Sequence, residues 1–177
     1  MAKTKIKVKE LRDYLNTLDN KEMINELVDL FKTFPDVKEY YLARLKPEYL
    51  EEVLEDYRKV IIDEFFPARG DGKLRYSVMK KAISDFKKIS DKADYIAELM
   101  LTYVEQGVKF TNTYGDISER FYINIEKMFE STLDYIIKND LEKQFRKRCK
   151  KAMDNSSGIG WGFADSMMDI YYTYFSE

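Results

Sequence analysis

Two clusters of cations hold the side-chain types from which a phosphate or nucleic-acid site could be built. Arg69, Lys73 and Arg75 surround Gly70 and Gly72, so a flexible backbone could offer N–H groups to an anion while the cations hold it. The spacing is not that of a P-loop, because Lys73 is followed by Leu74 and GxxxxGK[ST] is missing. The commoner use of such a turn is structural: an arginine ties down a helix end or pairs with a nearby carboxylate. In KQFRKRCKK, residues 143–151, six of the nine side chains are Lys or Arg, an array able to neutralise phosphates of RNA or DNA. Cations near a helix C-terminus also complement its dipole, for about 0.3–1 kcal/mol each. With 30 Lys+Arg against 32 Asp+Glu, a net charge of −2, the plainer role is favoured.

Three further groups of residues merit weighing. Glu105, Lys109 and Asn112 recur at three- and four-residue steps and could line a polar pocket, with Gly107 allowing close approach. Glu105 and Lys109 are equally a surface i, i+4 pair, and Gly107 equally a seat for a neighbouring helix. Trp161, between Gly160 and Gly162, could contact a ligand from a loop; the commoner fate of a lone Trp is to plug a core. Glu48, Glu51, Glu52, Glu55 and Asp56 supply carboxylates of the kind that hold Mg²⁺ in helical phosphohydrolases. They flank the apolar stripe of Leu50, Val53, Leu54 and Tyr57, so they are expected to face solvent, with Glu55 pairing with Lys59. No metal site is assigned, and no cofactor.

The chain has no His, which removes Ser-His-Asp and Cys-His nucleophiles, His metal sites and imidazole acid–base chemistry. Its single Cys, Cys149, excludes an intramolecular disulfide and suits a reducing cytosol. The basic N-terminal stretch MAKTKIKVKE has no apolar run behind it, and no segment approaches the ~20 apolar residues of a membrane span. A soluble, cytoplasmic protein without a membrane partner is expected.

The elements that must position these residues are helices. Asp19 and Glu22 read as a capping box for a helix to Thr33, stopped by Pro35. Leu50, Val53, Leu54, Tyr57, Ile61 and Phe65 recur at helical spacing between Pro47 and Pro67. Further helices are predicted over 7–18, 36–45, 77–89 from Ser77, 90–113 from Ser90 or Asp91, 117–138 from Asp116, 141–153 and 163–175. The helix ending at Thr113 leaves only a narrow polar face, Glu98, Thr102, Glu105 and Lys109, which predicts a central, mostly surrounded position. Residues 1–177 read as a single all-α domain of antiparallel helical hairpins, packed as an irregular bundle or a short HEAT-like stack.

EFFPARG (64–70), KLR (73–75), KKAISDFKK (80–88), YVEQGVKFTNTYGDI (103–117) and SGIGWGF (157–163) together make the chain resemble a bacterial family of small proteins with a domain of unknown function. The resemblance implies a small helical protein and carries over no catalytic residue, cofactor or substrate. The leading expectation is therefore a non-enzymatic helical module that binds a macromolecule, a protein before a nucleic acid. The alternatives are an anion or nucleic-acid binder using 69–75 and 143–151, and a Mg²⁺-dependent phosphohydrolase. The pattern fixes no oligomeric state; the terminal IYYTYF could cap the core or dock on a second subunit.

Overall fold

The computed structural model describes residues 5–175, which form nine helices and no strand. The fold is all-α, as the helical spacing of apolar residues predicts. Of the basic N-terminal stretch, residues 1–4 lie outside the described residues. The helices fall into two compact units divided between Lys46 and Pro47.

The first unit holds α1 (Val8–Leu15), α2 (Asn20–Thr33) and α3 (Pro35–Leu45). The predicted capping box opens α2: the Asp19 carboxylate accepts the Glu22 N–H at 2.8 Å, and the Glu22 carboxylate accepts the Asp19 N–H at 2.8 Å. These bonds satisfy two amides at the helix start. Pro35 occupies the first turn of α3, where a missing N–H has no consequence. Helices α1 and α2 bury no residue and α3 buries Ala43. Their apolar stripes therefore stay in contact with water.

The second unit comprises α4 (Pro47–Phe65), α5 (Tyr76–Ile89), α6 (Ala93–Tyr114), α7 (Glu119–Lys138), α8 (Glu142–Asp154) and α9 (Phe163–Tyr174). Helix α6 packs against α4, α5, α7 and α8, and α9 packs on α7 and α8. Twelve of the 22 residues of α6 are buried. Contacts with four other helices make α6 the central helix of this unit. Three helix starts differ from the sequence expectation. Helix α5 begins at Tyr76, so Ser77 lies inside its first turn. Ser90 Oγ accepts the Lys92 N–H at 3.1 Å in a turn, and α6 starts only at Ala93. Ser118, whose hydroxyl accepts the Phe121 N–H at 3.3 Å, caps α7 in place of Asp116; Asp116 instead accepts from the Tyr122 hydroxyl at 3.3 Å. In the last two cases a short polar side chain chooses between nearby amides and hydroxyls.

A row of aromatic rings runs through this unit. Phe65 of α4 lies 6.0 Å from Phe110 of α6, which lies 5.8 Å from Phe121 of α7; Tyr122 then meets Phe163 of α9 at 5.0 Å. Such pairs contribute about 0.5–1.5 kcal/mol each beyond the area they bury. The terminal IYYTYF joins the core through Tyr171 and Phe175, whose rings are 5.2 Å apart.

Gly107 of α6 lies against Ile125 of α7. A Cβ there would overlap Ile125 Cδ1 and stand 2.9 Å from its Cγ1, and Ile125 is fully buried. Gly107→Ala should gain about 1 kcal/mol of helix propensity and lose about 1–3 kcal/mol to overpacking. The expected result is a lower thermal midpoint, by about 2–4 °C per kcal/mol, partly recovered when Ile125→Val removes the Cδ1 methyl. A rise in the midpoint for Gly107→Ala alone would show that the contact is slack.

Candidate functional site

The glycine turn after α4 is organised by a buried carboxylate. Glu64 lies i+3 from Ile61 and next to Phe65, on the apolar stripe of α4, and is buried. Its backbone carbonyl accepts the Leu74 N–H at 3.0 Å, and its carboxylate accepts the Arg75 N–H at 2.9 Å and the Arg75 guanidinium Nε at 3.1 Å. A side chain at Gly72 would overlap the Phe65 carbonyl oxygen and sit 3.0 Å from that of Glu64. The turn thus folds back against the C-terminus of α4, whose carbonyls lack helical partners. Burial would raise the Glu64 pKa, but the hydrogen bonds and charge of Arg75, with Lys73 beyond, outweigh it and hold the carboxyl below its usual range. Of the five residues considered for an anion, Arg75 is engaged with Glu64 and Gly72 with the helix end, while Arg69, Gly70 and Lys73 are exposed.

The narrow polar face of α6 is neutralised from both sides. Arg58 of α4 donates to Glu98. Arg148 of α8 also donates to Glu98, and grips Glu105 with two bonds, Nε to Oε1 at 3.0 Å and Nη2 to Oε2 at 2.8 Å. Bidentate pairing of this kind is stronger and more directional than a point-charge contact. In sequence, Arg148 is one of the six cations of a possible polyanion array. It is in fact in register with the buried stripe of Phe145, Cys149 and Ala152, the one signal that could have set it apart. Glu55 pairs with Arg58 at 3.0 Å rather than with the expected Lys59, because Arg58 lies between α4 and the α6 carboxylate. Glu48, Glu51, Glu52, Glu55 and Asp56 are all exposed, and among the described residues no group of three or more acidic or sulfur ligands could hold a metal ion.

Next to Arg148, a recess of about 310 Å³ is lined by Glu105, Gln106, Lys109, Lys151 and Asn155. Asn112 Nδ2 donates to the Asn155 carbonyl at 2.8 Å, tying α6 to the end of α8. Glu105, Lys109 and Asn112 therefore lie along one stretch of α6 facing α8. Nothing places Trp161 with them. It lies on the turn before α9 with φ 61° and is 70% exposed. The core-plug role expected of a lone Trp belongs instead to Phe163, which is fully buried.

The outer face of α8 carries the rest of its cations. Lys143, Arg146, Lys147 and Lys150, with Glu142 and Tyr171 of α9, line an open groove of about 440 Å³. In the first unit, Ile24, Leu27, Val28, Phe31, Tyr41 and Leu45 line an apolar groove of about 250 Å³ between α2 and α3. Cys149 is buried, and that burial, followed by the charge of Glu105, pushes its thiol up to about 12. It is not a nucleophile at neutral pH.

Two measurements test these placements. Because the Glu64 pKa is depressed, its contribution to stability is complete above its usual value of about 4.5 and is lost as pH falls below it. Glu64→Gln should be less stable at neutral pH and lose stability less steeply between about pH 5 and 3; parallel profiles would remove Glu64 from the acid response. Cys149 should label slowly with a thiol reagent at pH 8 in the native protein. Arg148→Met, which strands Glu105 and leaves Glu98 to Arg58 alone, should speed labelling roughly 30-fold, equivalent to about 2 kcal/mol. That is less than for a fully buried pair because Arg148 is 37% exposed. Unchanged labelling would mean that Arg148 does not hold α8 in place.

No helix among the described residues is long and apolar enough to cross a membrane. No curated protein and no solved structure matches the chain. A family model matches residues 6–174, a span that takes in every helix of both units, so the chain belongs to the family of unknown function DUF6155.

Proposed function

We propose that this protein is a protein-binding module whose first unit receives an amphipathic helix with acidic flanks from a partner protein. The observation that carries this reading is the apolar groove of α2 and α3. Its lining includes Ile24 at 60% exposure and Leu45 at 72%, with Leu27 and Val28 also exposed. Apolar residues gathered on one exposed face are a liability unless something covers them. Full burial of one such side chain contributes about 1.5–3 kcal/mol.

The groove edge supplies the partner's chemistry. At about 100° per residue, Lys21 and Lys32 fall within about 80° of Ile24 around α2, and Lys38 falls about 60° from Tyr41 around α3. All three are exposed. Lys32 pairs with Asp29 at 3.8 Å between exposed side chains, a contact of a kind that contributes little. An apolar floor edged by lysines suits a helix with apolar residues at i, i+3, i+4 and i+7 and Asp or Glu beside them. A cytoplasmic setting accords with the single buried thiol.

A photo-crosslinking residue at position 27, used in the native host, tests this directly. The expected product joins position 27 to one helical segment of a single partner, with an apolar stripe and acidic flanks. Leu27→Asp with Leu45→Asp should cut affinity for that segment by at least about tenfold while leaving helix content unchanged. Crosslinks confined to a second copy of this chain, or to basic segments, would overturn the reading.

A further inference from the structure

The recess between α6 and α8 is framed by two ties and lined by polar groups that no neighbour uses. Arg148 grips Glu105 at one end, and Asn112 Nδ2 donates to the Asn155 carbonyl, 2.8 Å away, at the other. Glu105 to Asn112 and Arg148 to Asn155 are the same seven-residue step, about 10 Å along a helix axis. The two helices are therefore held in register over two turns, and the recess of about 310 Å³ lies between the ties. We infer that it binds a small neutral polyhydroxylated molecule, a single sugar ring or cyclic polyol, through the side chains of Gln106, Lys151, Asn155 and Glu105.

The lining sets the ligand's chemistry. Among the described residues, the side-chain amides of Gln106 and Asn155 and the ammonium of Lys151 have no hydrogen-bonding or ionic partner, so they take their hydrogen bonds from whatever occupies the recess. An amide offers an acceptor and a donor side by side, an ammonium only donates, and a carboxylate only accepts. A ligand that meets all of them needs several groups able to donate and accept, as hydroxyls do. Each Glu105 oxygen takes one Arg148 bond and keeps lone-pair capacity for another. Val108 and Ala152, both buried, supply an apolar strip for the C–H groups of a ring. The charges do not call for an ion. Arg148 answers Glu105, Lys109 lies 4.7 Å over the Phe66 ring, and Lys151 stands in the last turn of α8, where the helix dipole favours a cation. A phosphate would meet one unpaired ammonium at the carbonyl end of a helix. The volume falls at the small end of ligand pockets, roughly 300–1,000 Å³, which suits one ring and not an oligosaccharide.

Titration of the intact, ¹⁵N-labelled chain with D-glucose, D-galactose and myo-inositol, followed through the side-chain amide signals of Gln106 and Asn155, tests the proposal. At least one of the three should shift both signals saturably, with a Kd that changes less than about twofold as salt rises, because screening acts on charges. Gln106→Leu keeps the bulk and removes both hydrogen-bonding groups; followed through Asn155, it should weaken binding at least about tenfold. Gln144→Leu, the same change on α8 outside the recess, should alter binding less than about twofold. No saturable shift with any of the three, equal losses in the two variants, or orthophosphate that binds more tightly than the sugars and fades with salt, would overturn the site.

Discussion

A helix surrounded on most sides leaves its carboxylates little water, and α6 carries Glu98 and Glu105, both half-buried, on its narrow polar face. Leaving a half-buried charge unpaired is costly, though less so than in a dry interior, and each carboxylate meets a cation from a neighbour. Arg148 serves both, and Arg58 shares Glu98. This requirement fixes how α8 and α4 approach α6, because a bidentate guanidinium tolerates little rotation. The aromatic row from Phe65 to Phe163 and the Gly107–Ile125 contact then fill the remaining sides of α6.

Fixing Arg148 inward also decides what α8 shows outside. At 3.6 residues per turn, pointing positions 145, 148, 149 and 152 inward turns positions 143, 146, 147 and 150 outward. The cationic groove is thus the reverse face of the same packing decision. Burial has a chemical consequence as well. Cys149, beside Arg148 on the inward face, loses its reactivity because its thiolate would be formed away from water.

The two units solve the burial problem differently. The second unit places large side chains, among them Phe65, Phe86, Tyr103 and Phe129, wholly out of water. The Tyr103 hydroxyl finds no hydrogen-bond partner among the described residues, and burial raises its pKa well above its usual range. Such a polar group in an otherwise apolar core is tolerated because the ring's packing outweighs one unmade hydrogen bond. The first unit has helices of ordinary amphipathic pattern and too few of them to close a core. Its apolar stripe remains in contact with water.

Local patterns in the chain were sufficient to define the helices. The Asp19–Glu22 box, Pro35, and the stripe from Leu50 to Phe65 act within one or two turns, so sequence neighbours alone specify them. The central position of α6 was legible for a related reason, since a helix with so thin a polar face has nowhere else to go. Contacts between residues far apart in sequence were not legible in the same way. Arg75 with Glu64, 11 residues away, and Arg148 with Glu98, 50 residues away, meet only once the helices have packed. Read locally, Arg75 and Arg148 look like members of basic clusters. Only tertiary structure divided those clusters into cations that balance buried or half-buried carboxylates and cations that face solvent, because local spacing sets a side chain's direction on its helix while packing decides whether that direction leads to water or to a neighbouring carboxylate.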